Sequence, residues 1–218
     1  MAERVPESYT WPLITIVLVI LPQLLIPGRD RIGPPLFVPV IEIGVFVTMA
    51  AIAARPGPVP RRARPVVLTL FGILVAANAA GAGRLVGLVL DNGNVGGATL
   101  TASRLWVAGA LVIVTNIITF ALLYWQLDAG GPAGRIANPA PEPDFQFPQM
   151  ADADPAKRAW HPTFPDHLYL AYTNVLAFSP TDAMPLTHRA KALMALQSLI
   201  SAAVLAVVLA RVINILPT

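Results

Sequence analysis

Cysteine is absent from the 218-residue chain, so disulfides, thiolate metal sites and thiol nucleophiles are all excluded. Charge is scarce as well. Only 12% of the residues are Asp, Glu, Lys or Arg, about half the roughly 25% usual in soluble domains. The three histidines, His161, His167 and His188, follow no metal-ligand spacing, and each reads as a solvated or interfacial side chain. Asp152 and Asp154 have neither a phosphate-cradling glycine loop nor a positioned nucleophile beside them. The pattern therefore points away from an enzyme, and no cofactor is expected beyond bound monovalent cations or lipids. A net charge of +3 gives no reason to expect nucleic acid. In a membrane chain such an excess belongs to loops facing anionic lipid.

What the sequence has in abundance is apolar surface: 56% of its residues are hydrophobic and its mean hydropathy is +0.65. Apolar runs alternate with short polar stretches rich in Arg, Asp and Pro, the pattern of a multi-span protein. The runs lie at residues 11–26, 36–54, 66–90, 105–127 and 190–216. The fold class read from them is an all-α integral membrane protein with about five transmembrane helices. The N-terminal stretch carries two acids and one Arg before its apolar run and no small-residue cleavage site. It reads as an uncleaved first span. Residues 128–166 are polar and proline-rich, with Phe145, Phe147, Pro148 and Trp160 placed to pin the segment to the bundle or the membrane surface.

Charges inside apolar runs are costly and need partners. Glu42 and Arg84 would sit at equal depth on antiparallel neighbours, which predicts an intramembrane ion pair between them. Asn78, Thr115, Asn116, Thr119, Gln197, Ser198 and Ser201 are the other polar groups at depth. Such residues join helices through hydrogen bonds.

The C-terminal half is ordered differently from the N-terminal three-helix region, residues 1–104. A full span at 105–127 is followed by the extramembrane segment 128–166 and a helix at 167–178 too short to cross. A polar loop at 179–187 and a long final span at 190–216 complete it. A short helix that enters and returns must bury its backbone in protein or line water, and channels place selectivity loops this way. Residues 172–187, YTNVLAFSPTDAMPLT, resemble the pore helix and filter of the potassium-channel family. Ala177 to Thr181 fall at the family's TVGYG, and Asp182, Pro185 and Thr187 match its D-x-x-P-x-T, with Arg189 or Lys191 as the basic residue after it. The glycines that let filter carbonyls alternate are missing, and Pro180 fixes its own φ and restricts Ser179. The filter-like residues Ala177, Phe178, Ser179, Pro180, Thr181 and Asp182 thus depart from the family, and strong potassium selectivity is not expected. The same stretch also reads as a helix-capping turn, with Asp182 or Thr187 capping the next helix.

A second resemblance covers most of the chain. The stretches YW-x-x-D-x-G-G-P (124–132), F-x-F-P-Q (145–149) and F-S-P-T-D-x-M-P-L-T (178–187) are similar to those of a group of uncharacterised bacterial inner-membrane proteins, which implies a multi-pass inner-membrane location and no known activity. The potassium-channel resemblance implies an ion channel-like protein, and a single pore loop then requires a homo-oligomeric ring in the bilayer, a tetramer with the last helix innermost. Met194, Gln197, Ser201, Val204 and Val208 are its pore-facing candidates. Four copies of Arg211 near the conduit would repel cations. The alternative is a non-conducting structural or accessory multi-pass protein. Orientation is divided, since the RRAR loop favours the cytoplasm whereas a potassium-type pore loop on that side would have to be inverted.

Overall fold

A computed structural model describes residues 7–25, 36–55, 63–90, 94–95, 98–99, 101–137, 142–151, 160–177 and 183–215. Nearly all of it is helical. Helix α1 covers Thr10–Leu25, α2 Phe37–Ala53 and α3 Ala63–Leu90. A two-residue hairpin follows, with β1 (Asn94–Val95) antiparallel to β2 (Ala98–Thr99). Helix α4 (Ala102–Leu127) leads through a 3-10 turn at Asp128–Gly130 into a short α5, Gly131–Ala137. Strand β3 (Phe145–Gln146), a 3-10 turn at Pro148–Ala151, helix α6 (Phe164–Leu176), strand β4 (Met184–Pro185) and helix α7 (His188–Ile215) complete the order.

Among the described residues three helices are long and apolar enough to cross a membrane: α3, α4 and α7. The first two expected spans form as α1 and α2, of 16 and 17 residues. At 1.5 Å per residue they rise only about 24–26 Å, against a hydrocarbon core of about 30 Å. Outward faces are largely apolar, with Leu18, Val40 and Leu199 each more than half exposed. In water such a surface would be a large liability; against lipid chains it is matched.

Helix α4 is the hub. It packs on α1, α3, α6 and α7, while α2 lies against α1 and α3. The buried stripe of α3 runs Phe71, Leu74, Val75, Asn78, Ala82 and Leu85, the three- and four-residue spacing of one helix face. Gly109 of α4 marks a close approach to α7, because a Cβ there would lie 2.7 Å from a methyl of Val208. Helix α6 starts at a capping box, in which Asp166 Oδ2 accepts from the Thr163 backbone N–H at 2.7 Å and from its hydroxyl at 2.8 Å. Its buried side chains include Phe164, His167, Leu170, Ala171 and Asn174, whereas Tyr169 and Tyr172 are about half exposed.

The predicted ion pair between Glu42 and Arg84 does not form. Glu42 is buried and takes the side-chain amide of Gln23 on α1 instead. Arg84 is exposed, one position out of phase with the Asn78–Ala82–Leu85 stripe. Equal depth on neighbouring helices does not place two side chains on facing sides; helical phase does.

Candidate functional site

The end of α4 gathers most of the buried charge. Asp128 and His167 are fully buried, and Asp144 and Arg135 are nearly so. Asp128 Oδ1 accepts the backbone N–H groups of Asp144 at 2.8 Å and Phe145 at 3.3 Å. Its Oδ2 faces His167 Nε2 at 3.2 Å and Arg135 at 4.0 Å. Arg135 turns back over α4 and donates to the carbonyls of Trp125 and Asp128 at the helix terminus, the latter of which also accepts the Gly131 N–H. The same guanidinium holds Glu7 at 2.6 Å, and Glu7 also accepts the indole N–H of Trp125 at 2.8 Å. On the other flank Arg189 grips Asp144 in a two-point contact of 2.6 and 2.5 Å, and the Thr187 hydroxyl donates to the same carboxylate.

Electrostatic balance follows from these contacts. The Thr163 carbonyl lies 2.8 Å from His167 Nδ1 and can only accept, which assigns the proton to Nδ1. With Nε2 protonated as well, the ring donates on both sides. Three cations (Arg135, His167, Arg189) then face three carboxylates (Glu7, Asp128, Asp144). Burying any one of these alone would be expensive, whereas a charge-neutral and hydrogen-bonded set is tolerated. Aromatic rings seal the knot: Phe145 tilts against Tyr124 at 5.0 Å, and Phe147 meets His167 at 5.4 Å and Trp160 at 5.9 Å, both edge-on. Tyr9 packs edge-on to Trp125 at 5.1 Å. Burial, with the Glu7 carboxylate adding to it, raises the Tyr9 phenol above its ordinary value.

The local chain explains the D-x-G-G-P stretch. Ala129, Gly130 and Gly131 all have positive φ, at 52°, 85° and 77°, so three left-handed residues reverse the backbone after α4 and return Arg135 to it. Pro132 then occupies the first turn of α5, where its missing N–H is not needed. At Gly131 a Cβ would lie 2.6 Å from the Gln126 carbonyl oxygen, whereas at Gly130 nothing stands within 4 Å. Gly131→Ala is therefore expected to cost about 1–3 kcal/mol and more than Gly130→Ala, which meets only the strained φ. Unfolding of both variants by SDS titration in mixed micelles measures the difference, and equal costs would refute the steric part.

Beneath the knot a polar seam joins α4, α6 and α7. Gln197 Oε1 accepts from the Tyr124 hydroxyl at 2.7 Å and from Asn174 Nδ2 at 2.8 Å. Its own amide donates to the Ala171 carbonyl at 3.0 Å. Asn116 Nδ2 donates to Ser201 Oγ at 2.8 Å and to the Gln197 carbonyl at 3.2 Å. Asn116 Oδ1 is the one buried side-chain N or O without a partner among the described residues. On the far side of α4, Asn78 donates to Thr119 at 3.1 Å, tying α3 to α4.

These placements decide several expectations. Phe178, Ser179, Pro180, Thr181 and Asp182 of the filter-like stretch lie outside the described residues, and Ala177 ends α6 as its C-terminal cap. Thr187 caps α7, its hydroxyl accepting the Ala190 N–H at 3.3 Å. The pore-facing candidates Met194, Gln197, Ser201, Val204 and Val208 do share one face of α7, yet all five are buried within a single chain. That face is turned to α3, α4 and α6 and is not free to line an axis between copies. His167 corrects the reading of the histidines as solvated, since it is fully buried; His188 is exposed.

The knot itself is not legible in residue spacing, although its parts are visible in the sequence. The stretches 124–132 and 145–149 converge here with 183–187, the described part of the third: β3 pairs with β4, Phe145 opposite Pro185 and Gln146 opposite Met184, Asp128 holds the start of β3, and Asp144 holds Thr187. Among the described residues no group of three or more His, Asp or Glu is placed to hold a metal ion. No protein-family profile, no curated protein and no solved structure matches the chain.

Proposed function

We propose that this chain is a multi-pass inner-membrane protein with a structural or accessory role, whose α4, α6 and α7 form a closed module within one chain. The observation that carries the reading is the burial of the polar face of α7. Gln197 is fully buried with its side-chain oxygen and nitrogen both bonded inside the chain. A ring of copies around a common axis would have to present the remaining face of α7, which includes the exposed Leu196, Leu199 and Leu209. Such a wall offers no oxygen ligands to replace a cation's hydration shell. The charged knot adds rigidity at one end, clamping α5, β3, β4 and the start of α7 to the end of α4.

A second reading, conduction, is favoured by one feature. Helix α6, 13 residues long, packs between two full-length helices, α4 and α7, as a re-entrant pore helix would. Reconstituted liposomes separate the two. The expected result is K⁺, Na⁺ and Cl⁻ flux no greater than in empty vesicles, and a native mass spectrum from nanodiscs without a fourfold species. A tetramer whose flux falls in Asp182→Asn would overturn the structural reading in favour of the pore.

A further inference from the structure

Glu42 is the one carboxylate among the described residues that is buried far from the knot. It is 4% exposed in the second turn of the apolar helix α2. Its one partner among the described residues is Gln23 Nε2, which straddles both carboxylate oxygens at 3.0 and 2.9 Å while also reaching the Val19 carbonyl at 3.3 Å. One neutral amide nitrogen, shared three ways, is thin solvation for an anion that ordinarily accepts several hydrogen bonds. No cation comes to its aid among the described residues. Helix α1 has no ionisable side chain, and the Arg64 and Arg84 of α3 and Arg104 of α4 are all exposed. Tyr124, the other ionisable group of α4, is committed to Gln197.

Beside Glu42 lies a cavity of about 10 Å³, at the lower limit for one water. Its wall is apolar on four helices, with Ile16 of α1, Val45 of α2, Leu74 of α3 and Leu122 of α4 among the lining side chains. Besides Glu42 one polar residue faces it, Thr119 of α4. The Thr119 oxygen already accepts from Asn78, which leaves its hydroxyl proton to donate. A metal cation would find a single carboxylate and one hydroxyl here, too few oxygens to replace its hydration shell. A proton requires much less.

We propose that Glu42 is a proton-binding site: a neutral carboxylic acid, held by Gln23, whose O–H points to a single water shared with Thr119. Binding a proton forms one O–H bond on the carboxylate, and release returns that proton to the cavity water. The site links α1 and α2 to the Thr119–Asn78 contact between α4 and α3, so its protonation state bears on the packing of four helices. It stands independently of the structural reading of α7, which involves none of these residues.

Infrared spectroscopy of the full chain in lipid nanodiscs tests this. The sequence has four glutamates, Glu3, Glu7, Glu42 and Glu142, so carboxyl-¹³C glutamate labelling isolates very few bands. At neutral pH the labelled-minus-unlabelled spectrum is expected to contain one carboxylic acid C=O stretch, absent in Glu42→Gln and shifted in heavy water. Gln23→Leu should keep that band and move it to higher frequency, as the amide hydrogen bond is lost. This second variant carries the test if Glu42→Gln fails to fold. A wild-type spectrum with ionised-carboxylate bands alone, or an acid band that persists in a folded Glu42→Gln, would overturn the proposal.

Discussion

Asp128→Asn is expected to be the most damaging conservative substitution in the chain, lowering stability by about 3–5 kcal/mol, the scale for removing one member of a buried ionic set. The side chain keeps its volume, and an amide oxygen can still accept from the Asp144 and Phe145 N–H groups. What changes is the atom facing His167 at 3.2 Å. There an NH₂ replaces a carboxylate oxygen and sets donor against donor. The charge balance changes too, leaving two carboxylates for Arg135, Arg189 and His167. SDS unfolding in mixed micelles measures the loss. A double variant with His167→Gln sharpens the test, because a neutral partner relieves the clash. The two costs should then fall short of additivity by about 0.5–3 kcal/mol, the range for groups in contact. Strict additivity would mean that Asp128 and His167 do not interact.

The helices, unlike the knot, are open to a reading of hydropathy alone. Runs at 66–90, 105–127 and 190–216 reappear as α3, α4 and α7 because a long apolar segment can satisfy its backbone only within itself. The short helix before the last span is legible for a similar reason: a polar knot of residues interrupts the pattern before another run begins. Position along a helix can be read, but partnership cannot. Glu42 and Arg84 share a depth, and their phases send one toward α1 and the other outward. Met194, Gln197, Ser201, Val204 and Val208 share a face by their spacing, yet spacing does not say whether that face meets its own chain or a second copy. For the knot the difficulty is distance along the chain. Glu7 and Arg135 are 128 residues apart, and Asp144 reaches Arg189 across 45. No local period encodes such pairs. The three motif stretches do hint that 124–132, 145–149 and 178–187 belong together, and Gly130-Gly131 marks the reversal that makes this possible.

Gln197→Leu distinguishes a closed module from a pore wall more directly than any flux measurement. In the closed module the substitution strands the Tyr124 hydroxyl, removes one acceptor from Asn174 and leaves the Ala171 carbonyl without the Gln197 donor. Tyr124, Ala171 and Asn174 are each 3% exposed or less. A single interhelical hydrogen bond in a membrane is worth only about 0.6 kcal/mol on average. The Tyr124 hydroxyl is a different case, because a buried group left with no partner costs about 1–3 kcal/mol, whereas the Ala171 carbonyl lies within α6 and keeps its helical acceptor role. The expected loss is therefore about 1–3 kcal/mol, since Asn174 also keeps its bond to the Met194 carbonyl at 3.0 Å. Were Gln197 instead facing a water-filled axis, Leu would strand nothing, and stability would change little while conduction changed greatly. A destabilised Gln197→Leu with unchanged oligomeric state is the outcome the geometry requires. An equally stable variant with altered ion flux would place the residue on an axis and reverse the assignment of the α7 face.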